Sequence, residues 1–391
     1  MRTALLWLLL PLVVLSFAAC KPRGKKGPKD YNKQLAPGDV ALREVDSSQL
    51  PPVALTPQSR ADIERALANS LAYFQHPGSD ANFPVAGVSK AQVIASLKAL
   101  DQLLRTAQTD ADFNRELHAK FRALMSVGCD DQGTMLFTGY FTPIWHASAT
   151  PDATFRYPLY QKPKDLVMGP RGGDPDAGPA MQRLPDNTLR PYPDRAAIDG
   201  SGMLKGQELA WLADSFDCYC VQVQGSAKLK LRDGSVMEVG YDGTNNHQYF
   251  GIGQALVQDG KIPASELNFF TLREYFRQHP DEVQSYINRN PRYVFFRAVK
   301  GGPFGSLGQP VTADVTLAAD KNIFPRGAPC LVQTKIADPR QIAADYVGIR
   351  VDQDAGGGIR APGHADLYMG EGEASERRAG LRPVAWGRRW I

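Results

Sequence analysis

The sequence predicts a mainly β protein with an added helical segment near its N-terminus, and three observations carry that prediction. Glycine (36 residues) and proline (29) are both frequent in the 391-residue chain, which indicates many turns and favours strands over helices. Apolar residues recur at helical spacing between residues 56 and 125. After Val127 the pattern changes to short apolar runs separated by turn residues, as expected of strands.

The overall composition is that of an ordinary globular protein, with 43% hydrophobic and 22% charged residues. The length is sufficient for two domains of ordinary size. Lys plus Arg number 45 and Asp plus Glu number 41, a near balance that by itself neither favours nor excludes an anionic partner.

The first twenty residues have the features of a bacterial secretory signal. Arg2 precedes the apolar run Ala4–Ala19, which is too short to favour a membrane-spanning helix. The sequence Ala18-Ala19-Cys20 resembles the lipobox of bacterial lipoproteins, in which the cysteine becomes the lipidated N-terminal residue. Lys21 rather than Asp follows it, and the resemblance therefore implies the outer membrane. A plain cleaved signal with an incidental cysteine is the alternative.

Residues 21–55 are rich in lysine, proline and glycine and have few apolar positions, which predicts a flexible tether. The basic residues at its start can contact anionic lipid headgroups, and a solvated tether is the alternative. These basic residues are Lys21, Arg23, Lys25, Lys26 and Lys29.

Three helices are predicted between residues 56 and 127, as a packing layer rather than a site. Thr56-Pro57 supplies an N-cap and a first turn for a helix through residues 61–74. Ser89 and Gln92 have the spacing of a capping box ahead of a second helix. The third is predicted over residues 110–125 from apolar residues at helical spacing.

Short strands are predicted beyond Val127, with further strands and glycine-rich turns from 311 to 391. Asp233-Gly234, between two of the predicted strands, indicates a hairpin, and the glycine-rich residues 168–195 are predicted to form a long loop. The clearest predicted strands are Thr134–Phe141, Cys218–Gln224, Lys228–Leu231, Val236–Tyr241 and Arg292–Ala298.

The cysteines that follow Cys20 do not have the spacing of a zinc site. Export would place them in a compartment that permits disulfides. One disulfide and buried free thiols are both open interpretations. The four residues are Cys129, Cys218, Cys220 and Cys330.

Common catalytic motifs are missing from the sequence. It has no glycine-rich phosphate loop, no His-Glu-x-x-His and no Gly-x-Ser-x-Gly, and its six histidines are scattered. We therefore predict no metal site, no cofactor and no nucleophile triad. The remaining candidate mechanism is acid–base catalysis by carboxylates that lie near polar and aromatic residues.

Several segments combine aromatic, polar and glycine residues in a specific order. They are Thr138–Pro143, Tyr157–Tyr160, Glu208–Leu212, Val221–Ser226, Gly240–Asn245, Asn290–Phe296, Ala318–Asp320, Gln353–Gly357 and Ala365–Gly370. Together and in this order they resemble the membrane-bound lytic murein transglycosylase A family, over about residues 134–391. The C-terminal part resembles the domain named for its three aspartates. The chain departs from the family at Asn246, where Gly is usual, and at Ala355, where Thr is usual; Asn tolerates left-handed geometry nearly as well as Gly.

The resemblance implies a double-psi β-barrel interrupted by a second, smaller β-domain, with a groove between them. The predicted organisation is a signal (1–20), a tether (21–55), a helical segment (56–127), the barrel (128–143 and 289–391) and the inserted β-domain (144–288).

The resemblance also implies a substrate, peptidoglycan glycan strands, and cleavage without water. The acid protonates the bond between N-acetylmuramic acid and N-acetylglucosamine. The C6 hydroxyl of the muramic acid then closes on C1, giving a 1,6-anhydro ring, and the same carboxylate takes its proton. Candidate partners are the outer membrane, through the lipid anchor, and proteins of cell-wall synthesis or division; nucleic acid is not expected.

Three aspartates are the predicted catalytic residues. The family's third aspartate is its acid, and that position matches Asp366, with Asp354 and Asp320 in supporting roles. Asp366 lies between Ala365 and Leu367, which predicts that it projects from an apolar strand, and a carboxylic acid in a partly apolar groove can hold its proton near neutral pH. For each aspartate, a turn or cap role is the alternative.

Sugar strands are bound by amides, hydroxyls and aromatic faces. The predicted substrate-binding residues are Tyr140, Thr142, Gln224, Ser226 and Asn245. For Tyr140 the alternative is strand packing, whereas Gly225 would let a ligand approach the backbone beside Gln224.

Two other functions remain open from the sequence. An inverting hydrolase would use Asp354 or Asp320 as a base, with room for a water between two carboxyl groups. A non-catalytic glycan-binding lipoprotein is the other alternative. The presence of all three aspartates favours catalysis, because a binding protein has no need of them.

Overall fold

The computed structural model describes residues 29–169, 178–338, 341–380 and 386–391. The predicted signal, Cys20 and the basic residues before Lys29 lie outside the described residues. Inside them, the helices are all too short or too polar to cross a membrane. The prediction of a mainly β protein is confirmed, since the strands form three sheets.

The elements follow one another in this order along the described chain. The strands are β1 (Leu42–Val45), β2 (Ala123–Ser126), β3 (Met135–Thr142), β4 (Ile144–Ser148), β5 (Tyr157–Tyr160), β6 (Leu166–Val167), β7 (Met181–Arg183), β8 (Leu189–Pro191), β9 (Glu208–Leu212), β10 (Ser226–Lys230), β11 (Val236–Thr244), β12 (Val294–Val299), β13 (Thr316–Ala318), β14 (Pro329–Asp338), β15 (Gln341–Asp354), β16 (His364–Glu371) and β17 (Trp386–Trp390). The α-helices are α1 (Pro57–Tyr73), α2 (Lys90–Thr106), α3 (Asp110–Lys120), α4 (Arg195–Ser201), α5 (Ser215–Gln224), α6 (Ile252–Gln258), α7 (Phe269–Gln278), α8 (Val283–Ile287) and α9 (Gly372–Gly380).

One sheet closes on itself as a barrel. Its strands follow the order β17-β14-β15-β13-β16-β3, and β3 pairs again with β17. The β13–β15 and β3–β16 pairs are parallel, and the other pairs of the ring are antiparallel. Parallel neighbours need crossover connections, so the chain passes over the barrel rather than winding up and down.

The helices α1–α3 pack against this barrel and share its core. The predicted caps are present: the Thr56 hydroxyl accepts from the Ser59 N–H and the Ser89 hydroxyl from the Gln92 N–H. Buried residues of the helices and the barrel belong to one apolar cluster, which includes Leu67, Leu97, Phe113, Phe137, Leu317, Val351 and Leu367.

The third predicted helix is too long. It ends at Lys120, and residues 123–126 form β2, which pairs antiparallel with β1. The apolar side chains continue at helical spacing, but Phe121 already has extended backbone angles, and a strand partner is available. Tertiary pairing therefore outweighs the local pattern.

The predicted flexible tether is also shorter than expected. Leu42, Leu50 and Val53 are buried in the barrel core. The Asn114 side chain accepts from the N–H of Val53 and donates to its C=O, which fixes this segment against α3. A few well-placed apolar residues are thus sufficient to dock a segment whose composition is otherwise polar.

A second sheet is inserted into the barrel. Its order is β12-β11-β10-β4-β9-β5, and the helices α4–α8 come from the same part of the chain. The predicted insertion ended at 288, but β12 pairs with β11 and not with the barrel. The barrel sheet resumes only at β13, so strand Val294–Val299 belongs to the insertion.

The segment Cys218–Gln224 is helical, and the predicted strand is wrong. Asp214 caps the N-terminus of α5, and Gly225, with φ of 79°, ends it in the left-handed conformation. Residues 218–222 are all buried, so the helix is apolar around most of its circumference and lacks the usual amphipathic signal. Cys129, Cys218, Cys220 and Cys330 are buried free thiols, and no disulfide joins them.

The predicted loop at 168–195 contains β7 and β8, which form a small antiparallel sheet with β6 just before the loop, while its residues 170–177 lie outside the described ranges. The predicted Asp233-Gly234 hairpin joins β10 and β11, which pair antiparallel. Asn246 has a φ of 56°, which agrees with the expectation that it takes the left-handed geometry usual for Gly.

Candidate active site

The three predicted aspartates meet around the end of β13. Ala318 is the register partner of Asp354 on β15 and, on its other side, of Asp366 on β16. Neighbouring strands lie ~4.8 Å apart, so the two aspartate Cα atoms are roughly 10 Å apart. Asp320 follows Ala318 by two residues.

Asp366 points away from the barrel core, as predicted. Its neighbours Ala365 and Leu367 are buried, whereas the Asp366 side chain retains 22% of its exposure. The Thr138 hydroxyl donates to Asp366 Oδ1, and the His364 Nε2 atom lies 3.1 Å from the same oxygen. Because Thr138 is the register partner of Asp366 on β3, the sheet itself holds these side chains together.

Asp354 accepts hydrogen bonds from three directions. Its Oδ1 atom accepts from the Ser306 and Ala355 N–H groups, both at 2.8 Å. Its Oδ2 atom accepts from the Tyr140 hydroxyl, also at 2.8 Å. Burial raises the pKa of the Asp354 carboxyl above its ordinary value, although these donors oppose the shift.

Asp320 has the contacts of a structural residue. It is only 5% exposed and accepts from the N–H groups of Asn322 at 3.0 Å and Ala361 at 3.1 Å. The Arg360 guanidinium lies 3.9 Å away. Asp320 therefore joins the turn after β13 to the loop before β16, which is the turn role considered as the alternative.

A fourth aspartate, Asp352, which was not selected in the sequence analysis, lies two residues before Asp354 on β15. Asp352 is fully buried and forms ion pairs with Lys321 and Arg389. Burial and the nearby Arg389 charge lower the pKa of Lys321 well below its ordinary value. The Arg389 guanidinium also lies 4.1 Å from the centroid of the Phe324 ring.

Tyr140 and Thr142 extend the polar row along β3. Burial and the neighbouring Asp354 carboxylate raise the pKa of the Tyr140 hydroxyl well above its ordinary value, so Tyr140 remains a donor. Its ring lies 5.1 Å from that of Tyr368. Thr142 is buried, with its hydroxyl 3.0 Å from the Tyr368 hydroxyl and 3.2 Å from that of Ser226. Tyr140 thus serves both packing and polar contact.

Gln224 and Asn245 lie in different surroundings. The Gln224 Oε1 atom accepts from the Phe141 N–H at 3.1 Å, joining the end of α5 to β3. Asn245 is fully buried, donates to two backbone carbonyls and accepts from the Tyr293 N–H at 2.7 Å. These bonds occupy the Asn245 amide, so its predicted contact with substrate is not supported and we assign it to the polypeptide framework.

The glycines after Asp354 bring the two sheets together. A Cβ atom at Gly357 would lie 2.7 Å from Arg292 Nε, and one at Gly358 would lie 3.0 Å from the Tyr249 ring. Both contacts cross from the barrel loop to the insertion. The contact between the loop after Asp354 and the insertion therefore depends on close backbone approach, which only glycine permits.

Sequence reasoning missed His364 and Tyr368 as site residues. His364 was set aside because no other histidine lies near it in the sequence, although it precedes Asp366 by two residues on a strand. Period-2 spacing from the predicted acid was the signal that could have identified both residues. Among the described residues, no group of three or more His, Cys, Asp or Glu is arranged to hold a metal ion.

Comparison with known families gives two matches, one for each part of this site. Residues 136–297 match the MltA specific insert domain, and residues 315–385 match the 3D domain. The chain belongs to the MltA family. The MltA insert match begins within β3 and ends within β12, in agreement with the second sheet, and the 3D match contains all three predicted aspartates.

Individual members of the MltA family are similar to the chain. The membrane-bound lytic murein transglycosylase A of Vibrio cholerae is 29% identical over 258 residues, which are 65% of this chain and 64% of that protein. The chain thus spans less than two thirds of this relative's length.

Solved MltA structures have the same fold. A membrane-bound lytic murein transglycosylase from Agrobacterium tumefaciens has a TM-score of 0.74 at 24% identity, covering 90% of this chain and 97% of that one. Escherichia coli MltA with bound chitohexaose has a TM-score of 0.68 at 22% identity, covering 94% and 96% of the two chains.

Proposed function

We propose that the chain is a lytic transglycosylase of peptidoglycan and that Asp366 serves as both its acid and its base. The observation that carries the proposal is the position of Asp366 in a member of the MltA family. It projects from the barrel, partly exposed, with Thr138 and His364 on one carboxyl oxygen. The relatives named lytic murein transglycosylase A support the same reaction.

The reaction proceeds without water. Asp366 gives its proton to the oxygen that joins C1 of N-acetylmuramic acid to N-acetylglucosamine, and that C1–O bond breaks. The C6 hydroxyl of the muramic acid forms a new bond to C1, and its proton returns to Asp366. Asp366 thus ends each cycle in its starting protonation state, and the intramolecular nucleophile needs no separate base.

Asp354 is better suited to shaping the groove than to activating a water. Three donors occupy its oxygens, and they include the Tyr140 hydroxyl at 2.8 Å. A base in an inverting hydrolase needs an accessible oxygen facing a water. Asp320 is bonded to backbone groups and holds two loops together. These contacts favour one catalytic carboxylate over two.

The glycan strand would lie in the groove between the barrel and the inserted sheet. Tyr140 and Gln224 remain the proposed contacts, while Thr142 and Ser226, which are buried, would act mainly through Tyr368. Chitohexaose bound to Escherichia coli MltA, a protein of the same fold, supports an oligosaccharide as ligand. We also propose that the six-stranded ring, with its two parallel pairs, is a double-psi β-barrel.

The decisive experiment is mass spectrometry of purified peptidoglycan digested with the protein. The proposal predicts 1,6-anhydromuramic acid ends. New reducing ends would instead identify the inverting hydrolase, and binding without new ends would identify the non-catalytic glycan-binding lipoprotein. The anhydro and reducing products differ in mass by one water and a binding protein forms neither, so one digest separates the three functions.

We further propose that a lipid on Cys20 anchors the protein to the periplasmic face of the outer membrane, where proteins of cell-wall synthesis or division are candidate partners. The Ala-Ala-Cys sequence supports the anchor. Cys20→Ala should move the protein into the soluble fraction without changing the activity of the purified enzyme. A mutant that still sediments with outer membranes after a salt wash would contradict the anchor.

A further inference from the structure

His364 is in direct contact with the proposed acid. His364 and Asp366 are two residues apart on β16 and leave the strand on the same face. The His364 Nε2 atom lies 3.1 Å from Asp366 Oδ1 and 3.0 Å from Thr138 Oγ1. The other ring nitrogen, Nδ1, lies 3.3 Å from Asn32 Oδ1. The His364 side chain is 14% exposed, so its contacts with Asp366 and Thr138 are largely shielded from water.

The number of hydrogen atoms on Thr138 and His364 determines which of the contacting atoms donate and which accept. The Thr138 hydroxyl has one hydrogen, which it donates to Asp366 Oδ1. Thr138 can then only accept from His364, and Asp366 Oδ1 also accepts, so Nε2 of His364 carries a hydrogen. The Asn32 amide can present either its oxygen or its nitrogen to Nδ1. Asn32 therefore holds the ring whether the ring is neutral or positively charged.

We propose that His364 is a positioning residue that determines which oxygen of Asp366 reacts, an inference that rests on the proposed function. The Thr138 hydroxyl donates to Oδ1 and the His364 Nε2 atom lies 3.1 Å from the same oxygen, whereas Oδ2 has no hydrogen-bond partner in the described part of the chain. Oδ2 therefore carries the proton to the glycosidic oxygen and receives the proton of the C6 hydroxyl. Between these transfers, the hydrogen bond from Thr138 and the adjacent Nε2–H of His364 stabilise the negative charge on Oδ1.

The segment before β1 takes part in this arrangement. Lys29 Nζ lies 2.7 Å from Asp130 Oδ2 and 3.1 Å from Thr134 Oγ1, which fixes the chain three residues before Asn32. The predicted tether thus contributes a side chain that holds His364. The consequence is that the N-terminal segment supports the rate of the reaction as well as attachment.

The test is to compare kcat and KM for formation of anhydro ends by the full chain and its variants. His364→Ala should lower kcat about 10- to 100-fold, because the hydrogen-bonded Thr138–Asp366 pair loses the Nε2–H that stabilises its negative charge, and leave KM unchanged. His364→Gln should restore most of kcat, because its amide N–H can reach the Nε2 position. Asn32→Ala should lower kcat less, and the exposed Lys33→Ala is the matched control with unchanged kcat.

Several results would overturn the proposal. Full kcat in His364→Ala, or a Gln variant as slow as the Ala variant, would show that the Nε2 hydrogen bond has no role. A loss confined to KM would place His364 in glycan binding instead. Asn32→Ala tests the same relay from an exposed residue, so unchanged kcat there would contradict it even if His364→Ala fails to fold. A wild-type protein that makes no anhydro ends would refute the proposed function itself.

Discussion

Asp366 and Asp352 are two carboxylates of the same barrel with opposite surroundings. Asp352 is fully buried between the side chains of Lys321 and Arg389, and it forms ion pairs with both. Asp366 is partly exposed and, among the described residues, has no Lys or Arg ion pair; its partners are Thr138 and His364. A cation at contact distance favours the ionised carboxylate. The barrel therefore holds one carboxylate in a buried ion-pair cluster, whereas the proposed function assigns proton transfer to the other, partly exposed one.

The largest expected effect comes from replacing the Asp366 carboxyl group, the proposed source of the proton. Asp366→Asn should lower the rate of anhydro-end formation at least ~10²–10⁴-fold, because one group performs both proton transfers. The amide is nearly isosteric, so the fold and glycan binding should persist. Asp354→Asn and Asp320→Asn should each cost less, and the ranking is measured with the same digest.

If Asp366→Asn keeps more than about a tenth of the wild-type rate, Asp366 is not the catalytic acid, since a tenfold change in rate is only ~1.4 kcal/mol of barrier. If Asp354→Asn is equally inactive, two carboxylates are essential and the inverting hydrolase becomes the better interpretation.

The Asp352 carboxylate should contribute to the stability of the fold rather than to catalysis. Asp352→Asn leaves Lys321 and Arg389 buried without their counter-charge, which should lower the free energy of unfolding by about 3–5 kcal/mol. Urea denaturation followed by circular dichroism measures this change. Replacing all three residues together by apolar ones of similar volume is the matched control, and it should recover much of the loss. A stable Asp352→Asn variant with lost activity would contradict the comparison.

The surroundings of Asp354 are intermediate between those of Asp366 and Asp352, and its contacts predict an intermediate effect on activity. Tyr140→Phe removes one donor to Asp354 without changing the ring that packs on Tyr368. We expect about a tenfold fall in activity, the range for one hydrogen bond to a charged group. Steady-state kinetics on purified peptidoglycan checks this. A change in the melting temperature without a change in rate would make Tyr140 a packing residue only.

The smallest expected effect tests a half-buried carboxylate that pairs with one arginine. Asp217 pairs with Arg273 at 2.7 Å, yet burial raises the pKa of Asp217 to about 6. The folded protein then binds more protons than the unfolded chain between pH ~4 and ~6, so this contribution to stability is present below pH ~4 and is lost as pH rises through ~6.

Asp217→Asn should remove that part of the pH dependence, roughly 1–2 kcal/mol after allowance for partial solvent screening. Unfolding free energies of the wild type and variant at pH 4.5 and 7 measure the difference. If the unfolding free energy depends on pH equally in the wild type and the variant, Arg273 is sufficient to hold the Asp217 carboxylate ionised.

Local signals in the sequence were sufficient where neighbouring residues determine the structure. The capping residues Thr56 and Ser89 and the Asp233-Gly234 turn were found because their hydrogen bonds join residues close in sequence. The aspartates were found through the ordered motifs, and their convergence at Ala318 follows from strand register.

Residues whose roles depend on distant parts of the chain were missed. His364 acquires its role from Asn32 and Thr138, which are far from it in sequence. Cys218–Gln224 has residues that favour strands, but burial on most sides stabilises a helix there. Asn245 has the chemistry of a sugar-binding amide, and only the folded chain shows that backbone groups already occupy it.

Pro143 is the single residue between β3 of the barrel and β4 of the inserted sheet. It is buried, and its ring fixes one of the two backbone torsions at the junction. The Pro143 ring therefore restricts how the inserted sheet can turn relative to β3, whose Thr138 and Tyr140 contact the two aspartates. A change of backbone angle at this one residue would change the orientation of the inserted sheet relative to the strand that carries these contacts.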